Sequence, residues 1–267
     1  MISGMPDKEV APPKAVLDLA EGRAVKAAWE NELGGLTFQL GEGTDRQFVK
    51  WNPAGSPIDL TAEARRLRWA CAFAPVPHVL DEGADETGTW LLTAGLPGDS
   101  AVADRWVADP ATAVRAIGEG LRALHEKLPV DDCPFRWTAE DRLARVRALA
   151  ADGGIDPQDW HEEHRSRVET VERALELLSD IPPGDDPVVC HGDPCAPNTL
   201  ISADGRWSAH VDLGRLGVSD RWADLAVAAW STEWNYGPGW QKPLLDAYGI
   251  EADPHRIAYY RLLWDLV

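Results

Sequence analysis

Two apolar runs, each ending in a carboxylate, are the feature that most constrains how this chain can fold. The run from Val188 to Cys190 leads into His191-Gly192-Asp193 and a loop that contains Pro194 and Asn198. A second run begins at His210 and ends in Asp212. Between them, Ala203-Asp204-Gly205-Arg206 is typical of a hairpin turn. The pattern therefore predicts a hairpin that separates two loops rich in hydrogen-bonding side chains.

The order of these side chains suits phosphoryl transfer, which depends on positioning and charge neutralisation more than on covalent chemistry. Asp193 is placed to accept a hydroxyl proton, and Asn198 and Asp212 offer the hard oxygens that Mg²⁺ prefers. A single loop aspartate is more often a turn former than a catalyst. The ordered set is more specific, because kinases share an aspartate, four residues, an asparagine and a later Asp-x-Gly.

Charge and composition narrow the classes of partner. The 267 residues have 45% hydrophobic and 26% charged residues, as in soluble globular proteins, and a formal net charge of −18. A negative surface disfavours nucleic acid and favours a cationic partner, and the alternative explanation of the charge is solubility alone. No apolar run approaches the roughly 20 residues of a membrane span, so no membrane partner is expected.

The termini and cysteines give further expectations. The segment from Met1 to Lys14 lacks the apolar core of a signal peptide, which predicts a cytoplasmic protein. The four cysteines are scattered, so we expect neither a zinc site nor a disulfide between Cys190 and Cys195. We expect a monomer or a weak dimer.

Periodicity predicts an α+β fold. Leu36–Leu40 and Gln47–Trp51 alternate as paired strands, a helix capped by Asp59 or Thr61 is expected to run to about Phe73, and Trp90–Thr93 is expected to be another strand. The remainder is mainly helical. Two sets of apolar residues at helical spacing predict two of its helices: Val114, Ile117, Leu121, Leu124 and Leu128, and then Val168, Val171, Leu175 and Leu178.

This organisation predicts a two-lobed, protein-kinase-like architecture with a small antiparallel-sheet lobe before a larger helical lobe. The expected boundaries are 1–93 for the N-terminal lobe, 94–98 for a hinge and 99–267 for the C-terminal lobe.

At this point the sequence resembles the aminoglycoside phosphotransferases, most closely the 3′-phosphotransferases of kanamycin and neomycin type. The resemblance rests on several segments in the expected order: Trp90-Leu91-Leu92, Leu121-x-x-Leu124-His125, Cys133-Pro134-Phe135, His191-Gly192-Asp193 through Asn198, Val211 to Gly217, Asp220 to Ala226, and Arg256 to Leu263. It implies transfer of the γ-phosphate of ATP or GTP, with Mg²⁺, to a hydroxyl of a cationic antibiotic.

The resemblance also implies roles for the nucleotide side of the site. Lys50 matches the lysine that contacts the phosphates, and Glu63 matches the helix glutamate that pairs with it. Phe48 matches an aromatic ring that stacks on adenine, although a core position suits it equally well. The backbone of Thr93 to Leu96 matches the hinge that bonds the adenine edge.

For the catalytic loop, the resemblance implies that Asp193 is the catalytic base, that Asn198 and Asp212 bind Mg²⁺, and that His191 and Asp224 brace the loop. The residues expected on the acceptor side are Glu162, Glu163, Arg215, Glu233 and Asp265. An alternative interpretation, equally favoured by the sequence, is that Glu162 and Glu163 are solvent-exposed charges at the start of a helix.

The chain departs from the family at its C-terminus, where Asp-Glu followed by two phenylalanines is replaced by Trp264-Asp265-Leu266-Val267. It also lacks a G-x-G-x-x-G segment. Three alternatives therefore remain: a streptomycin 3″-kinase, another small-molecule kinase of the choline or homoserine type, and a non-catalytic nucleotide-binding relative.

Overall fold

The described residues of this computed structural model, 4, 10–31, 33–184 and 187–266, group by their contacts into two units. The first comprises described residues within Met1–Pro97 and Ala209–Gly214, and the second those within Gly98–Ser208 and Arg215–Val267. Asp212 thus belongs to the first unit, although it follows the Asp193 loop in the chain. Val267, part of the altered C-terminus, lies outside the described residues.

An antiparallel sheet of five strands, in the order β1-β2-β3-β5-β4, forms the first unit. The strands are β1 (Val25–Glu30), β2 (Leu36–Leu40), β3 (Gln47–Pro53), β4 (Val79–Ala84) and β5 (Gly88–Ala94), and the helices are α1 (Lys14–Ala20) and α2 (Leu60–Ala70). The predicted pairing of β2 with β3 is confirmed, with Leu36 opposite Trp51 and Leu40 opposite Gln47. Apolar side chains of β2 and β3 pack with those of α1, including Phe38, Val49 and Val16.

Helix α2 begins where the sequence predicted but ends earlier. Asp59 is its N-cap, and its carboxylate accepts a hydrogen bond from Ala62 N at 2.9 Å. The helix ends at Ala70 instead of Phe73. The approaching Pro75 explains this end, because proline restricts the preceding residue to an extended conformation and cannot continue a helix.

The second unit is mainly helical. Its helices are α3 (Asp104–Val107), α4 (Pro110–Lys127), α5 (Ala139–Ala151), α6 (Glu162–Arg167), α7 (Val171–Leu178), α8 (Trp222–Tyr236), α9 (Gln241–Tyr248) and α10 (Pro254–Asp265). None of the helices in the described part of the chain has the length and apolar character needed to cross a membrane. All four cysteines are free thiols.

Short strands position the loops of the central motif. Strand β7 (Pro187–Cys190) pairs antiparallel with β10 (Gly217–Asp220), and β8 (Thr199–Ile201) lies between β6 (Asp99–Ser100) and β9 (Trp207–His210). The predicted hairpin turn is confirmed, since Ser202 N donates to Arg206 O at 2.9 Å and Gly205 has a positive φ of 80°. The chain therefore leaves β7 directly into the loop of Asp193.

The helix predicted from the spacing of Val168, Val171, Leu175 and Leu178 is confirmed from Val171 onward, but Val168 lies outside it. Helix α6 ends at Arg167, Glu169 has a left-handed φ of 66°, and Thr170 caps α7 by accepting a hydrogen bond from Arg173 N. The apolar spacing continues across this break because both helices pack on the same core. Periodicity alone does not detect the local cap.

Close packing of α4 on α9 depends on Gly118. A Cβ at this position would lie 2.6 Å from the carbonyl oxygen of Leu244 and 2.8 Å from Cβ of Ala247. Alanine normally favours a helix by about 1 kcal/mol relative to glycine. Here the contact with a backbone atom outweighs that gain, because α9 would have to move.

We therefore expect Gly118→Ala to lower the free energy of unfolding by about 1–3 kcal/mol, the usual cost of overpacking. Urea denaturation followed by circular dichroism measures this change. Glu119→Ala, on the exposed side of the same helix, is the matched control and should change it by no more than about 0.5 kcal/mol. A stabilised Gly118→Ala protein would show that α9 does not constrain α4.

Candidate active site

Lys50 lies at the centre of a charged cluster in the first unit. Its Nζ donates to Glu63 Oε1 and Oε2 at 2.8 and 2.9 Å and to Asp212 Oδ1 at 2.7 Å. Strand β3 fixes the backbone of Lys50 between Thr37 of β2 and Leu91 of β5, and Glu63 lies in the first turn of α2. The predicted pair of Lys50 with Glu63 is therefore formed in the structure.

Burial and charge act against each other in this cluster. Burial alone lowers the pKa of Lys50, but the charges and hydrogen bonds of Asp212 and Glu63 raise it above its ordinary value. Burial raises the pKa of Glu63, whose side chain is nearly inaccessible, and the Lys50 charge opposes this shift. Lys50 therefore stays protonated at neutral pH and can contact an anionic group.

Asp212 has a left-handed backbone conformation, with φ of 65°. Few residues other than glycine adopt this conformation, although aspartate tolerates it better than most. Its side chain is 46% exposed, so the carboxylate is accessible to solvent while it holds Lys50. One ammonium against two carboxylates leaves the cluster with surplus negative charge, which suits an added divalent cation.

The predicted adenine-binding residues lie on neighbouring strands of the same unit. Thr93 of β5 is paired with Phe48 of β3. Phe48 is only partly buried, because Val49 takes the core position and successive side chains of a strand point to opposite faces. The Leu96 carbonyl accepts a hydrogen bond from Arg46 Nη2, and Gly95 N donates to Arg46 O at 2.8 Å. These contacts hold the segment after β5 against Arg46.

The loop of Asp193 belongs to the second unit and follows β7. Gly192 has a φ of 88°, and a Cβ there would lie 2.3 Å from the Arg215 carbonyl oxygen, so only glycine fits. Asp193 N donates to Nδ1 of the fully buried His191 at 3.3 Å. Asn198 Nδ2 donates to Asp193 O at 2.9 Å. The structure therefore brings His191, Asp193 and Asn198 together in one hydrogen-bonded loop.

Asp224 of α8 holds this loop through hydrogen bonds to its backbone. Its carboxylate is fully buried and accepts hydrogen bonds from His191 N at 2.6 Å and Gly192 N at 2.9 Å. It also lies 3.0 Å from His125 Nε2. Burial alone would raise the pKa of Asp224, but the hydrogen bond and charge of His125, with the Gly192 N–H, hold it below the usual value. Asp224 is therefore ionised and braces the loop.

Two bracing residues were missed by the sequence prediction of the site. His125 of α4 places Nδ1 2.9 Å from the Tyr248 hydroxyl and Nε2 against Asp224. Ser231 Oγ accepts a hydrogen bond from Ala196 N at 2.9 Å. The sequence signals for His125 were its place on a predicted helix and in the Leu121-x-x-Leu124-His125 segment that resembles the family, and nothing in the sequence marked Ser231.

His125, Cys190 and Asp224 bring three possible metal-ligand atoms within 4.8 Å of one another among the described residues. Hydrogen bonds already engage both ring nitrogens of His125 and both carboxylate oxygens of Asp224. Burial also raises the pKa of the Cys190 thiol well above its ordinary value, which disfavours the thiolate that binds metal. We therefore interpret this buried group as a structural network.

The chemistry of Asn198 and Asp212 fits the Mg²⁺ predicted from the sequence. Asn198 uses an N–H for its bond to Asp193 O, which leaves the amide oxygen to face a cation. Asp212 offers a half-exposed carboxylate. Both are oxygen ligands of the kind that Mg²⁺ prefers.

Four of the five predicted acceptor residues have side chains that are exposed or partly exposed. Glu162 is exposed at the start of α6, Glu163 pairs with Arg167 at 2.9 Å, and Glu233 of α8 is partly buried. The Arg215 guanidinium lies 5.8 Å from the ring centre of Trp137. All four keep enough exposure to meet a ligand, and their roles stay predictions.

Asp265, the fifth predicted acceptor residue, contacts other residues of the second unit through its carboxylate. Its oxygens accept hydrogen bonds from His161 N at 2.9 and 3.2 Å, and Oδ2 lies 2.7 Å from His164 Nδ1. The side chain is only 9% exposed. The Asp265 carboxylate is therefore engaged by the start of α6, and its expected contact with an acceptor stays a prediction.

The two units contain the parts expected of a kinase-like phosphotransferase. The first has a sheet that holds a lysine–glutamate pair, and the second, helical unit holds the Asp193 loop. Residues 28–260 match the model of the phosphotransferase enzyme family. The chain belongs to this family.

Similar proteins extend this assignment. The chain is 38% identical to an aminoglycoside 3′-phosphotransferase of Streptomyces fradiae over 88% of its length and 91% of the relative's. It resembles the crystal structure of an aminoglycoside-3′-phosphotransferase of type VIII with a TM-score of 0.79, 30% identity and coverage of 95% and 98%. It also resembles APH(3″)-Id of Streptomyces rimosus in complex with ADP and streptomycin, with a TM-score of 0.69, 28% identity and coverage of 94% and 97%. The predicted kinase-like fold is confirmed.

Asp224→Asn should lower the free energy of unfolding by about 3 kcal/mol near pH 7, because an amide cannot accept all the hydrogen bonds of a buried carboxylate. The lowered pKa of Asp224 fixes the sign of the pH dependence. Its contribution is present above the unfolded-state pKa of about 4 and disappears as pH falls through the lower folded-state pKa. The difference between wild type and variant should therefore narrow below about pH 4.

Urea denaturation at several pH values tests this expectation. The control is Asp246→Asn, an exposed carboxylate of α9 paired with Lys242, which should change the unfolding free energy by less than about 1 kcal/mol. Equal stability of Asp224→Asn and wild type at pH 7 would contradict the bracing role.

Proposed function

We propose that this protein transfers the γ-phosphate of ATP or GTP to a hydroxyl of an aminoglycoside antibiotic, at the 3′ position, and so confers resistance. The observation that carries the proposal is the environment of Asp193. Its Oδ1 is buried and accepts no hydrogen bond from a nitrogen or oxygen donor of the residues that the structure describes, while the weakly donating Cys195 thiol lies beside the carboxylate. A buried acceptor without a donor is costly, and a substrate hydroxyl would satisfy it.

Asp193 is held in position before any substrate binds. Asp224 fixes the backbone at His191 and Gly192, and Ser231 fixes it at Ala196. The Asp193 carboxylate then orients the acceptor hydroxyl and takes its proton as the acceptor oxygen bonds to the γ-phosphorus and the nucleoside diphosphate leaves. A positioned base of this kind contributes about 10²–10⁴-fold to the rate.

The first unit supplies the nucleotide contacts. Lys50 is oriented by Glu63 and Asp212 and would contact the phosphates, and Glu63 keeps the ammonium in place. Phe48 would stack on the base, with the backbone from Thr93 to Leu96 bonding its edge. The ADP complex of the Streptomyces rimosus relative supports an adenine nucleotide as donor.

Asn198 and Asp212 would hold the Mg²⁺ of the nucleotide through one amide and one carboxylate oxygen. When bound, the ion neutralises charge on the phosphates during transfer.

An acceptor with several ammonium groups suits the charge of the protein. The formal net charge is −18, and Glu162, Glu163 and Glu233 are the acidic residues we assign to the acceptor, with Arg215 beside them. The Streptomyces fradiae relative, an aminoglycoside 3′-phosphotransferase by name, supports an aminoglycoside acceptor and transfer to its 3′ position. Because the donor nucleotide is cytoplasmic, we propose that the protein acts in the cytoplasm. We also propose that it is a monomer or a weak dimer.

Purified protein should phosphorylate kanamycin or neomycin in a coupled ATPase assay, with mass spectrometry and NMR locating the phosphate on the 3′ oxygen. The panel includes streptomycin and choline. Asp193→Asn keeps the shape of the loop but removes the base, and we expect kcat to fall about 10²–10⁴-fold with nucleotide affinity nearly unchanged.

A best acceptor that is neutral or anionic would refute the aminoglycoside assignment. Transfer to streptomycin alone would move the assignment to a 3″-kinase. An Asp193→Asn enzyme within a few-fold of wild type would refute the role of Asp193.

Asn198→Ala should weaken the Mg²⁺ dependence of nucleotide binding, because Mg²⁺ demands near-octahedral oxygen coordination and one ligand is lost. Calorimetry with a non-hydrolysable ATP analogue, with and without Mg²⁺, measures the effect. Asn235→Ala is the control: its amide bonds only within α8, to Ser231, among the described contacts. The same Mg²⁺ dependence in wild type and Asn198→Ala would contradict the metal assignment.

A further inference from the structure

Four aromatic rings form a cluster in the second unit that the proposed mechanism does not use. The aromatic cluster consists of His161, Trp230, Trp234 and Trp264. Ring centres are 4.9 Å apart for Trp230 and Trp234, 5.6 Å for Trp234 and Trp264, and 6.2 Å for Trp230 and Trp264. His161 lies 4.5 Å from Trp230 and 5.9 Å from Trp234. Each ring is therefore held by at least two others.

Exposure within the cluster is uneven. Trp230 is 1% exposed, whereas Trp234 is 41% exposed. Among the tryptophans that the structure describes, Trp234 is the most exposed. A single exposed apolar residue needs no explanation, but this ring is rigidly packed against its neighbours and still faces solvent. An ordered exposed indole can bind a ligand with little loss of side-chain entropy.

The exposed ring is close to the catalytic loop along α8. Ser231, which accepts the hydrogen bond from Ala196 N, precedes Trp234 by three residues. Residues three apart are neighbours on one helix surface. The same helix therefore anchors the loop of Asp193 and presents Trp234 one turn further on.

Charges around the cluster favour a cation. The Arg261 guanidinium lies 5.4 Å from the ring centre of Trp230, so one ring already accommodates a cation on the buried side. Burial lowers the pKa of Arg261, and the charges of Glu233 and Glu163 oppose that shift. Both glutamates thus lie within electrostatic range of the cluster.

Asp265 helps to build this surface. By accepting the hydrogen bond from His161 N and contacting His164 Nδ1, it holds the start of α6 against Trp230. Trp264 stands where the family resemblance expects a carboxylate. At this position the chain therefore has an indole ring in place of a carboxylate.

We propose that the aromatic cluster is a wall of the acceptor subsite, on which Trp234 binds an amino-sugar ring through its face. An ammonium group of the sugar is attracted by the indole ring and by Glu233 and Glu163. Attraction of an alkylammonium to an aromatic face is strongest for tryptophan. This inference rests on the proposed function, because it assumes that the acceptor is a polyamine sugar.

The test compares Trp234→Leu and Trp234→Phe with wild type in steady-state kinetics, with neomycin and MgATP varied separately. Trp234→Leu removes the ring and should raise the KM for neomycin by about 3- to 30-fold. Trp234→Phe keeps a weaker ring and should raise it less. We expect kcat and the KM for ATP to stay within about twofold, because Asp193 and Lys50 are unaffected.

Leu177→Ala, a residue of α7 with 39% exposure, is the matched control and should leave both KM values unchanged. Glu233→Gln, which removes a charge without touching the rings, should raise the neomycin KM as well. Calorimetric titration of neomycin into each variant measures binding without turnover.

An unchanged neomycin KM in Trp234→Leu, or equal increases in Trp234→Leu and Trp234→Phe, would overturn the inference while the proposed function stands. A wild-type protein that neither binds nor phosphorylates any aminoglycoside would overturn both.

Discussion

One buried carboxylate, that of Asp224, determines the geometry of the loop that carries Asp193. An ionised carboxylate without partners is very costly to bury, so its charge must be met by donors nearby. Here the donors are the backbone N–H groups of His191 and Gly192, with His125 behind them. The loop can turn this tightly only because Gly192 adopts a left-handed conformation against the Arg215 carbonyl. The position of Asp193 is therefore a consequence of how Asp224 is neutralised.

In the first unit the central charge is positive, and its partners are carboxylates. A single ammonium, that of Lys50, is surrounded by three carboxylate oxygens from Glu63 and Asp212. Its pKa is raised, so the group remains a cation. In both units the charged groups are oriented by the protein itself, without a substrate. Such preorganised charge is the main source of catalysis in reactions that develop charge in the transition state.

Predictions from sequence succeeded where a local rule decides the structure. Alternation of apolar residues placed β2 opposite β3, and the side chain of Asp59 marked the start of α2. The pair of Lys50 with Glu63 was implied by the family resemblance, which assigns a strand lysine and a helix glutamate to these positions, and it is formed in the structure. Periodicity failed at the break between α6 and α7, because two helices that share one core continue the same apolar spacing across Glu169.

The sequence by itself determined the family, the kinase-like fold and the identity of the charged residues in the motif. It could not show that Asp265 bonds to His161 and His164, that His125 supports Asp224, or that Trp234 stacks beside Trp264. These contacts join residues from helices far apart in the chain. Local propensity and spacing carry no information about which distant side chain will neutralise a buried charge or cover a ring. The tertiary structure alone decided that Asp265 is used inside the protein and that Trp234 faces solvent, because packing of α6, α8 and α10 sets which groups remain accessible.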